Sequence, residues 1–305
     1  IILTGHMDTV FVKGTAKERP FHVDGNRVTG PGALDMKGGM TILLHVAKLL
    51  TENGYDRYPI KIILAGDEET GHTNSGAAED YLKEARGGVM GFNMETGFLD
   101  NRIVIERKGV AQYLFHFHGV GAHAGNNPED GRSAVKELCH KVLDIEALTD
   151  YDKGYNVNCG VIEGGTVPNA TPAYCRMDCD FRYISNDDLP KLKEMVQKIV
   201  DHVYVDGVTS KLTTTEGFDV MERIPGNMEL LKVAQEVAKE EGWPIPGPKL
   251  CGGGSDAAYT CKMGVPTLCS MGVEGEFNHT VEEYANVDSL FARAKLAIGI
   301  LLKVA

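Results

Sequence analysis

Positive charge is what this 305-residue sequence is shortest of. Its 31 Lys and Arg stand against 43 Asp and Glu, for a formal net charge of −12. No block of Lys or Arg interrupts that acidity, which argues against nucleic acid or an anionic membrane as a partner. Apolar runs are short as well, and none approaches the roughly 20 residues that span a bilayer as a helix. The seven cysteines, at positions 139, 159, 175, 179, 251, 261 and 269, contain no Cys-x-x-Cys pair and are odd in number. A reduced, cytoplasmic setting is therefore expected, with most thiols acting as small core residues. Internal repeats and low-complexity segments are also missing. What is present, 43% hydrophobic and 24% charged residues, suits a soluble globular chain of one large domain or two ordinary ones. The chain opens within the strand-like run Ile1-Ile2-Leu3-Thr4, so residues are expected to precede it, and any targeting signal would lie among them.

The stretch that organises the rest is Gly66-Asp67-Glu68-Glu69-Thr70-Gly71, which follows Ile60–Ala65, a β-branched run that reads as a buried strand. Three successive carboxylates at a strand end repel one another strongly in a low-dielectric site, and a divalent cation is the economical way to hold them. The plainer alternative is a solvated acidic turn ahead of a helix, where Asp and Glu complement the N-terminal dipole.

Taken in order, Ile1–Thr4 gives a strand with Gly5-His6-Met7-Asp8 at its C-terminal end. A loop rich in Gly and Pro leads to Ala33-Leu34-Asp35-Met36-Lys37-Gly38-Gly39. Ile42, Leu43, Val46, Ala47 and Leu50 then recur at helical spacing, and Asn53-Gly54 closes that helix. The strand into Glu68-Glu69, a polar helix to about Arg86 and the short apolar run Val89–Met94 ending at Glu95 follow. Strands alternating with helices predict an α/β fold with a doubly wound, largely parallel sheet, whose sites form beyond the carboxyl ends of the strands. His6, Glu68, Glu69 and Glu95 all fall there. Near Arg107 the rhythm changes to a β-α-β-β-α-β order that predicts an inserted ferredoxin-like α+β sandwich over residues 107–216. The α/β pattern resumes at Gly217, so residues 1–106 and 217–305 are expected to form one domain.

Seven groups of metal-ligand or acid/base character sit at strand ends or loops: His6, Asp8, Asp35, Glu68, Glu69, Glu95 and His279. Imidazole and carboxylate together suit zinc, or manganese or cobalt, better than magnesium or calcium. Each alone reads more plainly as a surface or capping residue, and only the joint arrangement is informative.

Seven motifs occur in a fixed order: His6-Met7-Asp8-Thr9-Val10, Gly32–Gly39, Asp67–Gly71, Asn93-Met94-Glu95-Thr96, Ala122-His123-Ala124-Gly125, Gly252–Ala258 and Asn278-His279. In them the whole chain resembles the aminoacylase/glutamate carboxypeptidase family of co-catalytic zinc metallopeptidases, near its carboxypeptidase G-type branch. The resemblance implies that His6 and Glu95 bind one metal, that Glu69 and His279 bind the other, and that Asp35 bridges the two. It implies Glu68 as general base and Asp8 as the group that orients His6. It implies a cis peptide at Asp35–Met36, although Met36 stands where the family usually carries a small or acidic residue. The inserted domain is expected to act as a dimerisation and lid domain that makes a homodimer, with His123 reaching the partner's site to stabilise an oxyanion. Asn169 and Arg182 match the pair that holds a substrate carboxylate in the carboxypeptidase branch, and Gly253 and Gly254 are expected to let the backbone approach a substrate closely. Alternation along Ala173–Tyr183 puts Arg176, Asp178, Asp180 and Arg182 on one face.

The implied activity is a di-zinc exopeptidase of carboxypeptidase or dipeptidase type, acting on a small peptide beside a free carboxylate. A deacylase of N-acyl amino acids, of acetylornithine or succinyl-diaminopimelate type, shares the same metal core. A catalytically silent metal-binding protein is the remaining alternative, and it sits poorly with the presence of Glu68 and all five ligands. Nucleotide binding finds little support. Gly119–Gly125 has its last glycine one residue late for a dinucleotide fingerprint, and Gly252–Ser255 lacks the Lys-Ser/Thr of a phosphate loop.

Overall fold

A computed structural model describes residues 1–73 and 75–304. The chain divides into two compact units, Ile1–Arg107 with Met221–Ala305, and Lys108–Val220. The second crossing falls beyond residue 216 for a simple reason. The Val110 N–H bonds the Phe218 carbonyl at 2.9 Å, and the Gly217 N–H bonds the Val110 carbonyl at 3.0 Å, so the returning chain stays tied to the unit it is leaving.

The first unit is built on four parallel strands in the order Thr267–Leu268, Gly91–Asn93, Ile2–His6, Lys61–Ala65. Every residue of Ile2–His6 is buried, as a strand covered on both faces must be. Ile60–Ala65 departs from its expected buried position. Lys61–Ala65 is an edge strand of this sheet, with Lys61 and Ile62 exposed and only Ala65 buried. Edge or centre is decided by strand order, which local hydrophobicity does not report. Helix Gly38–Glu52 buries Ile42, Leu43, Val46 and Leu50 on one face, and Gly54, at φ +74°, takes the left-handed conformation that ends it. Helices Pro225–Glu240 and Val287–Val304 pack into the same core, which contains Leu3, Phe92, Leu231 and Ile300.

The stretch read as a Gly/Pro loop contains two short strands, His22–Asp24 and Arg27–Thr29. These join Tyr284–Asn286 and Gly275–Glu276 in a small antiparallel sheet. That sheet matters because it brings the loop before Asp35 and the loop carrying His279 to one place. No helix among the described residues is long and apolar enough to cross a membrane.

The second unit follows the order read from its sequence. Strands Thr209–Glu216, Gly109–His118, Tyr174–Tyr183 and Asn156–Gly164 form an antiparallel sheet in that spatial order, the 4-1-3-2 arrangement of a ferredoxin-like sandwich. Helices Ala134–Glu146 and Asp188–Asp201 contribute Leu138, Ile145, Leu192 and Val196 to a core shared with Phe115, Phe117, Met177 and Phe181 of the strands. The Ser133 hydroxyl caps the first of these helices, accepting the Lys136 N–H at 3.1 Å.

Candidate metal centre

His6 ends the central strand, Glu68 and Glu69 form a single 3-10 turn after the strand Lys61–Ala65, and Glu95 follows the strand Gly91–Asn93. The three parallel strands therefore deliver their acidic and imidazole groups to one carboxyl edge. Glu95 can lie close to the helix that begins at Gly38 because Gly39 has no side chain. A Cβ there would overlap the Met94 carbonyl oxygen.

His6 is almost fully buried. Its Nε2 lies 3.2 Å from Asp35 Oδ1, 3.5 Å from Glu95 Oε1 and 3.9 Å from Glu68 Oε2. On its other side Nδ1 faces Asp8, 3.2 Å from the carbonyl oxygen and 3.3 Å from Oδ1. Asp8 also accepts the Glu69 N–H through Oδ2 at 3.0 Å, so it ties the histidine strand to the acidic turn. His279, whose backbone φ is +64°, points its Nε2 at Asp35 Oδ2 (3.1 Å) and at Glu69 Oε2 (3.2 Å). The two oxygens of Asp35 thus face different imidazoles. Single ligand atoms of His6, Glu68 and Glu95 lie within 4.8 Å of one another, as do those of His6, Asp35 and Glu69.

The electrostatics of this arrangement call for added cations. Five carboxyl groups stand against two imidazoles and the Arg107 guanidinium, whose Nη2 is 3.9 Å from Glu95 Oε2. Burial, with Glu95 and Asp256 nearby, pushes Glu68 well above the usual carboxyl range. Burial and Asp35 push Glu95 up to about 7. Burial opposes the charged form of His6, yet its bond to Asp35 and the charges of Glu95 and Glu68 raise it to about 10. His279 is raised to about 10 by its bonds to Asp35 and Glu69. Asp35 itself would be raised by burial, but the bonds from His279 and His6 hold it below the usual range. Glu69 Oε1 is buried without a hydrogen-bond partner. A nitrogen-and-oxygen donor set with an orphaned carboxylate oxygen and surplus negative charge fits divalent metal.

All seven groups singled out in the sequence (His6, Asp8, Asp35, Glu68, Glu69, Glu95 and His279) come together here. Three supporting contacts were not foreseen. The Glu283 carboxylate accepts the Leu34 N–H at 2.9 Å and the Asp35 N–H at 3.4 Å, fixing the backbone that presents Asp35. Met36, fully buried after the cis Asp35–Met36 peptide, accepts the His6 N–H through its sulphur at 3.2 Å. Arg107 donates from Nη1 to the carbonyls of Gly253 (3.3 Å) and Gly254 (2.8 Å) and from Nη2 to the Ser270 hydroxyl (3.3 Å). The Lys-Gly that follows Arg107 marks only the change of rhythm, so nothing local signals that contact.

His123, Asn169 and Arg182 belong to the second unit. The exposed His123 accepts the Gly125 and Asn126 N–H groups at its Nδ1, both at 3.1 Å, so its proton sits on Nε2. An isolated bridge joins His123 to Ala170, and the Ala124 N–H bonds the Asn169 carbonyl at 2.9 Å, which sets the His123 and Asn169 loops side by side. Arg182 is held by Asp180 through two bonds, Nε to Oδ2 at 2.7 Å and Nη2 to Oδ1 at 3.0 Å. Arg176, read beside Asp178 on the same face, pairs instead with Glu163 across the neighbouring strand, Nε to Oε2 at 3.0 Å.

The chain matches peptidase family M20/M25/M40 over residues 2–303. Carboxypeptidase G2 of Pseudomonas sp. strain RS-16 is 30% identical over 305 residues, covering 99% of this chain and 73% of that protein. A succinyl-diaminopimelate desuccinylase of Stenotrophomonas maltophilia is 24% identical over 310 residues, covering 96% of this chain and 80% of that protein. The fold is that of the aminopeptidase PepT from Bacillus cereus, with a TM-score of 0.81 at 24% identity over 99% of this chain and 80% of that one. An M20 metallo-carboxypeptidase from Sulfolobus solfataricus shares it as well, with a TM-score of 0.76 at 18% identity over 98% and 84% of the two chains. The acidic edge is therefore to be read as that of a metal-dependent hydrolase of amide bonds, and the chain belongs to peptidase family M20/M25/M40.

Proposed function

We propose that the protein is a di-zinc exopeptidase of carboxypeptidase or dipeptidase type, cleaving an amide next to a free carboxylate. The single observation that carries the two-metal reading is Asp35, whose two oxygens face His6 and His279 separately. His6, Glu95 and one oxygen of Asp35 would hold the first ion, and Glu69, His279 and the other oxygen the second. Bound there, two divalent ions would activate water and polarise the amide carbonyl.

The remaining work falls to the chain's own residues. Glu68, beside these ligands and lifted above the usual carboxyl range by burial and its anionic neighbours, takes the proton from the attacking water and returns it to the leaving nitrogen. Asp8 holds His6 in orientation through Nδ1. His123, with its proton on Nε2, is a neutral donor suited to a developing oxyanion. It acts in trans within a homodimer formed through the inserted, lid-forming domain. Arg182 and Asn169 grip the substrate carboxylate, and the backbone at Gly253 and Gly254 lies along the substrate. The protein works in the cytoplasm, whose reductants keep its seven free cysteines as thiols.

The deciding experiment loads the protein with zinc, cobalt or manganese in turn. It then measures hydrolysis of C-terminally varied dipeptides, folyl-glutamates and N-acetyl amino acids, each beside its amidated counterpart. Turnover of free-acid peptides and folyl-glutamates with little of the amidated forms is expected. Preference for N-acyl amino acids would assign a deacylase, and equal turnover of amidated and free-acid substrates would remove the carboxylate grip. Subunit exchange between inactive His123→Ala and Glu68→Gln chains tests the trans arrangement. Partial recovery of activity is expected, and a monomer that shows none refutes it.

A further inference from the structure

Behind the acidic turn lies a second charged cluster that none of these roles uses. His72 is buried, with its backbone at φ +57°. Its Nδ1 lies 2.9 Å from Asp67 Oδ1, and its Nε2 lies 2.6 Å from Asp256 Oδ1. Both partners are carboxylate oxygens, which only accept, so the ring donates from both nitrogens and carries a positive charge. Tyr81 and Tyr259, themselves buried, flank the ring with centroids 6.1 and 5.8 Å away and stack on each other.

The two partners lie on different loops. Asp67 opens the turn of Glu68 and Glu69, closed by the Gly71 N–H to the Glu68 carbonyl at 2.7 Å and the His72 N–H to the Asp67 carbonyl at 3.2 Å. Asp256 follows the glycine-rich loop Gly252–Ser255 and immediately precedes the helix Ala257–Lys262, whose Ala257 N–H is taken by the Ser255 hydroxyl at 3.2 Å rather than by Asp256. One imidazolium therefore joins the acidic turn to an aspartate that lies 184 residues beyond His72 in the sequence. The Asp256 charge is also among those that raise Glu68.

We propose that His72 is a positioning residue for the reaction, holding Glu68 in its working geometry by tying Asp67 to Asp256. This rests on the reading of Glu68 as general base. A side chain that only stabilises the fold would change melting temperature and leave turnover alone, whereas misplacing a base by a fraction of an ångström lowers kcat with little effect on substrate affinity.

The test compares His72→Gln, His72→Leu, Asp256→Asn and His72→Leu/Asp256→Asn in the zinc-loaded protein, on a substrate the wild type cleaves, with Glu68→Gln alongside. The expected result is a kcat lower by about 10- to 100-fold in the His72 variants, KM within about two-fold, and unchanged metal content. The double variant should be no slower than Asp256→Asn alone, because His72→Leu then breaks a tie already lost. An independent readout needs neither metal nor turnover. In the metal-free wild type, nitrogen-15 and proton spectra should show two slowly exchanging, downfield ring N–H signals for His72. Normal kcat in a folded His72→Gln protein, or a neutral ring with a single N–H, would overturn the inference. Loss of turnover in Glu68→Gln but not in His72→Gln would overturn it while leaving the function standing. Full turnover in Glu68→Gln would overturn the function and this inference with it.

Discussion

The two compact units each carry a dense patch of charge, and the patches are built on opposite principles. On the second unit's sheet, Arg176 pairs with Glu163 and Arg182 with Asp180, positive against negative, and all four side chains keep 29% or more of their surface exposed. On the first unit, Asp35, Glu68, Glu69 and Glu95 share a single sign and keep 9% or less. Balanced charges near water satisfy one another at high effective dielectric and require nothing further. Around the first unit's patch, His6, His279 and Arg107 offset only part of the buried negative charge, and a buried surplus of one sign cannot satisfy itself. It stays protonated in part, as the upward displacement of Glu95 to about 7 indicates, or it recruits a cation. Charge density alone does not mark a reactive site. A buried surplus of one sign is what calls for a counter-ion.

The harshest way to break the first patch is to keep its charge partners and remove its proton shuttle. Glu68→Gln is expected to retain two metal ions per chain while kcat falls by roughly 10²–10⁴-fold. Metal analysis beside steady-state kinetics checks this, and near-normal turnover, or a loss of metal in step with activity, would refute the division of roles.

Chelation sharpens the comparison next, because the sign of its pH dependence follows from the shifts. His6 and His279 are raised from an ordinary 6.5 to about 10, so the stability they contribute is complete below about pH 6.5 and is lost as pH rises through 10. Glu95 and Glu68 are raised from 4.5, Glu95 to about 7, so the folded state holds their protons over a range in which the unfolded state has released them. The depressed Asp35 acts in the other direction only at strongly acid pH. The metal-free protein should therefore lose melting temperature steadily from about pH 5 to pH 10. Added zinc should stabilise it more as pH rises, since ligands bind metal deprotonated. Thermal scans with chelator and with metal measure both slopes, and a flat chelated profile would contradict the assignment.

Much of this was legible in the sequence, and the limits are physical. His6, Glu68, Glu69 and Glu95 could be placed at strand ends because helical and strand periods alternate cleanly between them. The ferredoxin-like order could be read because its strands of eight to ten residues are long enough to show alternation. Asp35 and His279 lie outside any periodic stretch; their residue type marked them as candidates, but resemblance alone gave them their roles as metal ligands. The small sheet that unites those loops has strands of two and three residues, too short to leave a pattern. The edge position of Lys61–Ala65, the Glu283 contact with Asp35 and the Arg107 clamp on Gly253 and Gly254 depend on partners far away in sequence, where local reasoning has no purchase.

A smaller effect is expected where the second patch is read as functional. Arg182→Lys and Asn169→Ala should raise KM for substrates with a free carboxylate beside the scissile amide, by an amount equivalent to roughly 1.5–3 kcal/mol for a lost charged contact. Amidated substrates, poor for the wild type, should be little further impaired. Equal losses on both substrate forms would make Arg182 a member of its ion pair with Asp180 and nothing more.

The smallest change is expected at the neighbouring pair, which makes it the control for the whole comparison. Arg176 lies on the same strand and the same face as Arg182, six residues before it, and its guanidinium is likewise engaged by an acid, Glu163 at 3.0 Å. It differs in exposure: Glu163 keeps 62% of its side-chain surface in water, so the pair's attraction is screened and its ordering entropy unrecovered. Arg176→Met and Glu163→Gln should leave kcat, KM and metal content unchanged and the melting temperature without measurable shift, most clearly in added salt. If Arg176→Met raises KM for free-acid substrates as Arg182→Lys is expected to, the carboxylate is read by the field of the whole charged face. The distinction drawn here between the two arginines would then fail.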